Sequence, residues 1–322
     1  MPREGGRLIS TGVRAGSKLL PLVTVVTLAL TACGGSVKDP ESARCNSPQV
    51  TFDPKVVLAE HAEVQVHFRC ADAVLEGTLY LPQRAGPLPA VVYVHGSGEA
   101  TRWSWDVPWV QQTVRAGIAF FSYDKRGVGE SQGACCPGDQ NHFNLLAADA
   151  DAAVGAVRKR AEIDPARIGF LGISQAGWVV PLAVVRSHRD PAFIAFASGP
   201  AVTTHEEQQW TELAGEDADN PPPLTLEKRT EITRELEPSG FDPVPLLEQM
   251  TVPGIWVFGR EDRSIPAEKS AATLESLRKA KRKDFTVVLF PRAGHGLLDT
   301  PPTDPRAMPT LLAWIEKHVH PT

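Results

Sequence analysis

A chain of 322 residues, 42% hydrophobic and 22% charged, can bury a full core, and α/β folds commonly gather that much chain around one sheet. Its formal net charge is −5, and no run of Lys and Arg follows a phosphate backbone, so nucleic acid is not an expected partner.

The chain opens with Arg3, Arg7, Arg14 and Lys18, then an apolar stretch from Leu19 to Leu30, then small residues. That is the layout of a secretory signal, and the stretch is too short to span a bilayer comfortably. Its end, Leu30-Thr31-Ala32-Cys33, resembles the lipobox of bacterial lipoproteins, which implies that Cys33 is acylated and becomes the new N-terminus. The alternatives, an ordinary signal cleaved nearby or an uncleaved anchor, also export the protein. The expected organisation is a signal peptide over 1–32, a Ser-, Asp-, Pro- and Gly-rich tether over 33–54, and a catalytic domain over 55–320. The expected location is the bacterial cell envelope, with the membrane reached through lipid on Cys33.

Five cysteines suit that compartment. Cys45, Cys70, Cys135 and Cys136 form an even set that admits three pairings; Cys45 with Cys70 would staple the N-terminal segment and leave Cys135 beside Cys136. No spacing suggests zinc, and no metal is expected.

Val64, Val66 and Phe68, then Leu75, Leu79 and Leu81 around Gly77, alternate as in a leading hairpin. Short apolar runs follow, read as buried strands: Ala90 to Val94, Ala119 to Tyr123, Ile168 to Ile173, Phe193 to Ala197, Ile255 to Phe258 and Phe285 to Phe290. Between or after them lie predicted helices: Trp105 to Arg115, Phe143 to Arg160, Gln175 to Arg186, Pro266 to Arg282 and Asp304 to His318. The pattern predicts a doubly wound, mostly parallel α/β sheet. About 200–250 breaks the rhythm with two charged helical patterns, His205 to Leu213 and Thr225 to Leu236, separated by Pro221, Pro222 and Pro223. Inserted between the sixth and seventh strands, such a segment builds a helical lid over the carboxyl ends of the sheet; the alternative is a long surface loop.

Gly172-Ile173-Ser174-Gln175-Ala176-Gly177 follows one of these strands and opens a helix. A serine on so sharp a strand-to-helix turn projects its hydroxyl out of the sheet, which makes Ser174 the expected nucleophile. Ala176 stands where a glycine is usual, and helix capping is the other role open to Ser174. A serine hydroxyl needs a base, itself oriented by a carboxylate. His295, in Ala293-Gly294-His295-Gly296 just after a strand, is the expected base. Asp262, in Gly259-Arg260-Glu261-Asp262-Arg263-Ser264-Ile265-Pro266, is the expected acid, with Glu261 and Asp299 nearby. The oxyanion requires donors: the backbone N–H of Gln175, and that of Ser97, or failing it Gly96, in His95-Gly96-Ser97-Gly98. His95 reads as a structural residue of that loop.

These segments, together with Tyr123-Asp124-Lys125-Arg126-Gly127-Val128-Gly129-Glu130-Ser131 and Gly77-Thr78-Leu79-Tyr80-Leu81-Pro82, resemble the α/β-hydrolase superfamily over roughly Val64 to His318. Within it they look like the branch holding bacterial carboxylesterases and serine aminopeptidase-like and dienelactone-hydrolase-like proteins. The resemblance implies a cofactor-free acyl transfer to water. Asp124 and Arg126 are expected to brace their loop by charge-assisted hydrogen bonds. Trp103, Trp105, Trp109, Trp178 and Trp210 fall near loops bordering the pocket, and an aromatic lining would suit an apolar acyl or aromatic substrate.

The expected activity is therefore hydrolysis of a small-molecule carboxylic ester through an acyl-enzyme. Two alternatives stand beside it: a peptidase or amidase of the serine aminopeptidase type, with Glu206 and Glu207 available to hold an amine, and a non-catalytic lipoprotein that binds a small molecule. A nicotinamide-dependent enzyme is not expected, since no G-x-G-x-x-G follows the first strand of the sheet.

Overall fold

In the computed structural model, residues 45, 49–103, 107–136, 140–187, 190–299 and 301–320 are described. The expected signal peptide, Cys33 and Trp105 lie outside them.

One ten-stranded sheet organises the domain. Its antiparallel edge comprises β1 (Val50–Phe52), β2 (Val56–Val57), β3 (His61–Cys70) and β4 (Ala73–Pro82). The parallel part comprises β5 (Leu88–Val94), β6 (Ala119–Tyr123), β7 (Ile163–Ile173), β8 (Ile194–Ala197), β9 (Gly254–Gly259) and β10 (Phe285–Phe290). The order is β1-β3-β4-β6-β5-β7-β8-β9-β10, with β2 on β3. From β5 the chain steps to one side to form β6 and then to the other to form β7. That reversal opens a crevice beyond the carboxyl ends of β5 and β7, where doubly wound sheets bind ligands.

Helices cover both faces. On one side Trp109 and Val114 of α1 (Val107–Arg115) and Leu311 and Ile315 of α8 (Ala307–Val319) share a core with Val91 and Tyr93. On the other, Phe143 and Ala150 of α2 (Gln140–Val157), Val180 of α3 (Ala176–Arg186) and Leu274 of α7 (Ala267–Lys281) pack on Ala90, Val92 and Val94. Successive residues of β5 thus feed opposite cores, and every residue of the strand is buried, which is why it reads as a continuous apolar run.

The expected strands and helices of the sheet are all present, with shifted ends. Two differences are larger. The end of the expected tether is ordered: Val50–Phe52 pairs with β3, and the buried Cys45 is bonded to Cys70 at a Cα separation of 5.3 Å. The strand expected from Ile168 begins at Ile163, because a register shift against β5 lets Leu88 pair with Ile163 before Ala90 pairs with Ile168.

The segment between β8 and β9 is helical. Thr203 and Glu206 form a reciprocal capping box at the start of α4 (Thr204–Ala214), which ends on Gly215 in the left-handed region at φ 72°. Thr225 caps α5 (Leu226–Glu235), and a short α6 (Val244–Gln249), not foreseen from the pattern, returns the chain to the sheet. Trp210, Ala214, Leu224, Ile232 and Leu236 give this segment a small core of its own. Among the described residues no helix is long and apolar enough to cross a membrane.

Candidate active site

Ser174 stands immediately after β7 with φ at 51°, a conformation costly for a residue with a side chain and one that persists only where packing enforces it. The packing is visible in the flanking glycines. A Cβ on Gly172 would lie 2.5 Å from the Cβ of Ala176, and one on Gly177 would lie 2.6 Å from the Pro200 ring. Gly172 and Ala176 occupy one shared space, so alanine is accommodated at 176 because 172 carries no side chain. The contact at Pro200, just past β8, explains why a glycine stands one position later than usual.

Asp262 is completely buried in the loop between β9 and α7. Its Oδ1 accepts the backbone N–H groups of Ser264 (2.9 Å) and Ile265 (2.8 Å), and its Oδ2 accepts from His295 Nδ1 at 2.9 Å. With Nδ1–H donated to the carboxylate, Nε2 is left with its lone pair. Burial pulls the His295 pKa down, but the charge and hydrogen bond of Asp262 outweigh it and, aided by Glu216 and Asp299, leave it above the ordinary histidine value. Glu261 and Asp299, the other carboxylates considered, are exposed and make no hydrogen bond to the ring.

Ser174 and His295 hang from one strand end. The Ser174 N–H donates to Ala197 O (3.2 Å), and the next residue, Ser198, donates its hydroxyl to His295 O (3.1 Å). Among the described residues no hydrogen bond closes Ser174 Oγ onto the imidazole. In enzymes without substrate such contacts are often long and tighten when the substrate binds.

Ser174 opens into a cavity of about 480 Å³ whose lining includes Ser97, Gln175, Phe143 and Trp178. A Cβ on Gly96 would sit 3.3 Å from Ser174 Cβ, so the loop after β5 lies directly against the serine. Among the described residues, the backbone N–H groups of Ser97 and Gln175 have no acceptor within the protein. The inserted segment supplies the remaining wall through Thr204, His205, Glu207 and Gln208 of α4 and Ser239 and Gly240 beyond it. Trp210 ties that wall to the acid loop by donating Nε1–H to Asp262 O at 3.1 Å. Burial, with repulsion from Glu216 and Asp262 outweighing the attraction of His295, pushes the Glu207 pKa up to about 7.

Two aromatic rings, Phe143 and Trp178, face the cavity beside the polar side chains of its wall. Among the described tryptophans Trp178 borders it; Trp109 and Trp210 are core residues, and Trp103 is exposed beneath the Arg102 guanidinium. A second cavity, about 650 Å³ and bordered by Lys55, Arg84 and Glu162, contains none of these residues.

The loop after β6 braces the site. Asp124 accepts from the Arg102 N–H (2.7 Å), the Arg102 side chain and the Glu130 N–H (2.9 Å). Arg126 grips the buried Asp149 with two nitrogens, at 2.9 and 2.6 Å. His95 is buried with Nε2 bonded to Tyr123 O, and burial pulls its pKa down to about 4, so it is neutral. Cys135, Cys136 and His142 bring ligand atoms within 4.8 Å of one another, a grouping that spacing alone did not suggest. Both sulfurs are spent in the Cys135–Cys136 bond, so the group does not present thiolates.

A model of the family described as serine aminopeptidase, S33 (Hydrolase_4) matches residues 85–233, a span that includes Ser174 and ends before Asp262 and His295. An uncharacterized protein, YfhR, of Salmonella typhi is 34% identical over 137 residues, 41% of this chain and 44% of that protein. The matched region thus spans less than half of that curated relative. Acetyl xylan esterase 1 from Thermoanaerobacterium sp. JW/SL YS485 superposes with a TM-score of 0.61 at 18% identity, over 87% of this chain and 91% of that one. The acylaminoacyl peptidase of Pyrococcus horikoshii does so with a TM-score of 0.61 at 18% identity, over 82% of this chain and 43% of that one. The fold is that of the α/β-hydrolases.

Proposed function

We propose that this α/β-hydrolase cleaves small carboxylic esters through an acyl-enzyme on Ser174, with His295 as general base and Asp262 as the orienting acid. The observation that carries the reading is the His295–Asp262 pair at 2.9 Å, anchored through Ser198 to the same strand end that accepts the N–H of Ser174, itself held at positive φ. Nε2 takes the Ser174 proton as Oγ attacks the ester carbonyl. The developing imidazolium is stabilised by the buried Asp262 carboxylate, and the oxyanion accepts from the N–H groups of Ser97 and Gln175. Imidazolium then protonates the leaving alcohol, and a water activated by the same base releases the acid. The reacting bonds exchange only protons and an acyl group, and no cofactor is invoked. A cavity of about 480 Å³ with hydroxyl, amide and carboxylate groups in its wall favours a short acyl chain and a polar alcohol.

A second reading, a peptidase or amidase, draws on Glu207. This carboxylate borders the serine's cavity and has no hydrogen-bonding or ionic partner among the described residues, so it is available to a substrate amine. The two readings separate on substrate: p-nitrophenyl acetate turned over faster than aminoacyl p-nitroanilides supports the esterase, and the reverse supports the peptidase. For either, a fluorophosphonate is expected to label the protein and Ser174→Ala to abolish labelling and turnover. Undiminished hydrolysis by that variant would end the serine mechanism, and binding without labelling would favour a non-catalytic role.

We further propose that the protein is exported and held at the cell envelope by lipid on Cys33. The buried Cys45–Cys70 bond supports an oxidising compartment.

A further inference from the structure

Lys125, the third residue of the Tyr123-Asp124-Lys125-Arg126-Gly127 stretch, is buried, and no carboxylate lies within 4.0 Å of its ammonium among the described residues. Burying a cation without a counter-ion is costly unless its protons are all satisfied. They are. Nζ donates to Gly96 O at 2.8 Å, to Gly98 O at 3.0 Å and to Gln175 Oε1 at 2.9 Å. An ammonium has three N–H donors, and all three end on the two segments that carry the proposed oxyanion donors.

We infer that Lys125 is the positioning residue of the oxyanion hole, clamping the Gly96–Gly98 loop to Gln175 so that both backbone N–H groups face one point. The inference rests on the serine mechanism proposed above. Its physical basis is the planarity of the peptide unit. Gly96 C=O and Ser97 N–H belong to one peptide group and point in opposite directions when it is trans. Holding Gly96 O on the ammonium therefore aims Ser97 N–H away from Lys125. A charged donor on the carbonyl also polarises the amide and strengthens its N–H as a donor. The third bond fixes the side chain of Gln175, whose own N–H is the partner donor. A loop containing two glycines has little stiffness of its own, so the direction of the Ser97 amide needs an external anchor.

Burial draws the Lys125 pKa down to about 8, which still leaves the ammonium form dominant at neutral pH. The neighbouring His95 is held neutral, so it does not compete as a cation.

Lys125→Met keeps an unbranched side chain one atom shorter and removes all three donors; Gln175→Ala keeps the lysine and removes one acceptor. Each is compared with the wild type using an acetyl-sized trifluoromethyl ketone, which Ser174 Oγ attacks to form a tetrahedral oxyanion. The matching trifluoromethyl carbinol has the same shape and cannot form that adduct. Deleting one oxyanion donor outright costs roughly a hundredfold or more, so Lys125→Met, which misdirects donors, is expected to lower kcat/KM about 10- to 100-fold. Ketone affinity should fall in proportion, while carbinol affinity stays within about threefold; Gln175→Ala should show the same signature with a smaller loss. A merely structural lysine would lower ketone and carbinol affinity together, and that result, or unchanged ketone affinity in both variants, overturns the inference. If Lys125→Met does not fold, Gln175→Ala decides alone by the same criterion. Ser174→Ala, run in parallel, separates the two failures: if it still binds the ketone like the wild type, the serine mechanism has failed and the inference with it.

Discussion

Replacing Asp262 by Asn tests the proposed base through the hydrogen bond that orients its ring. Asp262 Oδ1 is fixed by two buried backbone N–H groups, at 2.9 and 2.8 Å, and Oδ2 faces His295 Nδ1. An asparagine there has one oxygen to share. If its oxygen stays on the Ser264 and Ile265 amides, its NH₂ faces Nδ1, and the imidazole must carry its proton on Nε2, where it cannot accept one from Ser174. The flipped rotamer would point NH₂ at the two amides and strand them; leaving a buried donor unpaired costs about 1–3 kcal/mol, so two cost roughly 2–6 kcal/mol. The unreactive tautomer should therefore outweigh the reactive one by about 30-fold at the least. Loss of the carboxylate charge beneath the imidazolium acts in the same direction. Together they place Asp262→Asn near the roughly 10⁴-fold loss that the same exchange produces in serine proteases. The assay is kcat/KM for p-nitrophenyl acetate at neutral pH, with thermal unfolding to show that the fold is intact. A loss below tenfold in a folded variant, or a greater loss from Glu261→Gln or Asp299→Asn, would refute the assignment.

Glu207→Gln is expected to stabilise the protein increasingly as pH rises. The native carboxyl has its pKa pushed up to about 7 from an ordinary 4.5, so between those values the folded state holds a proton that the unfolded state has lost, and wild-type stability declines with rising pH. Glutamine removes that decline. The difference in unfolding free energy should grow from pH 5 to 8 and reach at most about 3 kcal/mol; a difference that does not change with pH would disprove the reading. For localisation, Cys33→Ser should move the protein from the membrane to the soluble fraction of the envelope, and unchanged membrane retention would argue for an uncleaved anchor instead.

The residues proposed for chemistry stand out in the sequence because their signals are local. Gly172 to Gly177 encodes a tight turn, and the turn, wherever it folds, presents Ser174 at the end of a strand. The buried strands were legible because both faces of a parallel strand demand apolar side chains, as in β5, where no polar position interrupts the run. The inserted helices were visible through their charge patterns, and Thr203 with Glu206 is a capping box written in the sequence. By contrast, β1 was hidden because a three-residue edge strand in a polar segment has no period to read. Which tryptophans reach the cavity is not legible, because proximity along the chain says nothing of which way an indole faces: Trp178 borders the cavity, while Trp210, on the inserted segment, turns inward to reach Asp262 O.

By itself the sequence determined the class of sheet and the tight turn at Ser174, because each depends on neighbours a few residues away. Only the tertiary structure brought Asp262, and neither Glu261 nor Asp299, onto the His295 ring, left the Glu207 carboxylate without a partner among the described residues, and closed the three hydrogen bonds of Lys125. Those outcomes depend on burial and on groups that are distant in the chain, and a linear pattern carries neither.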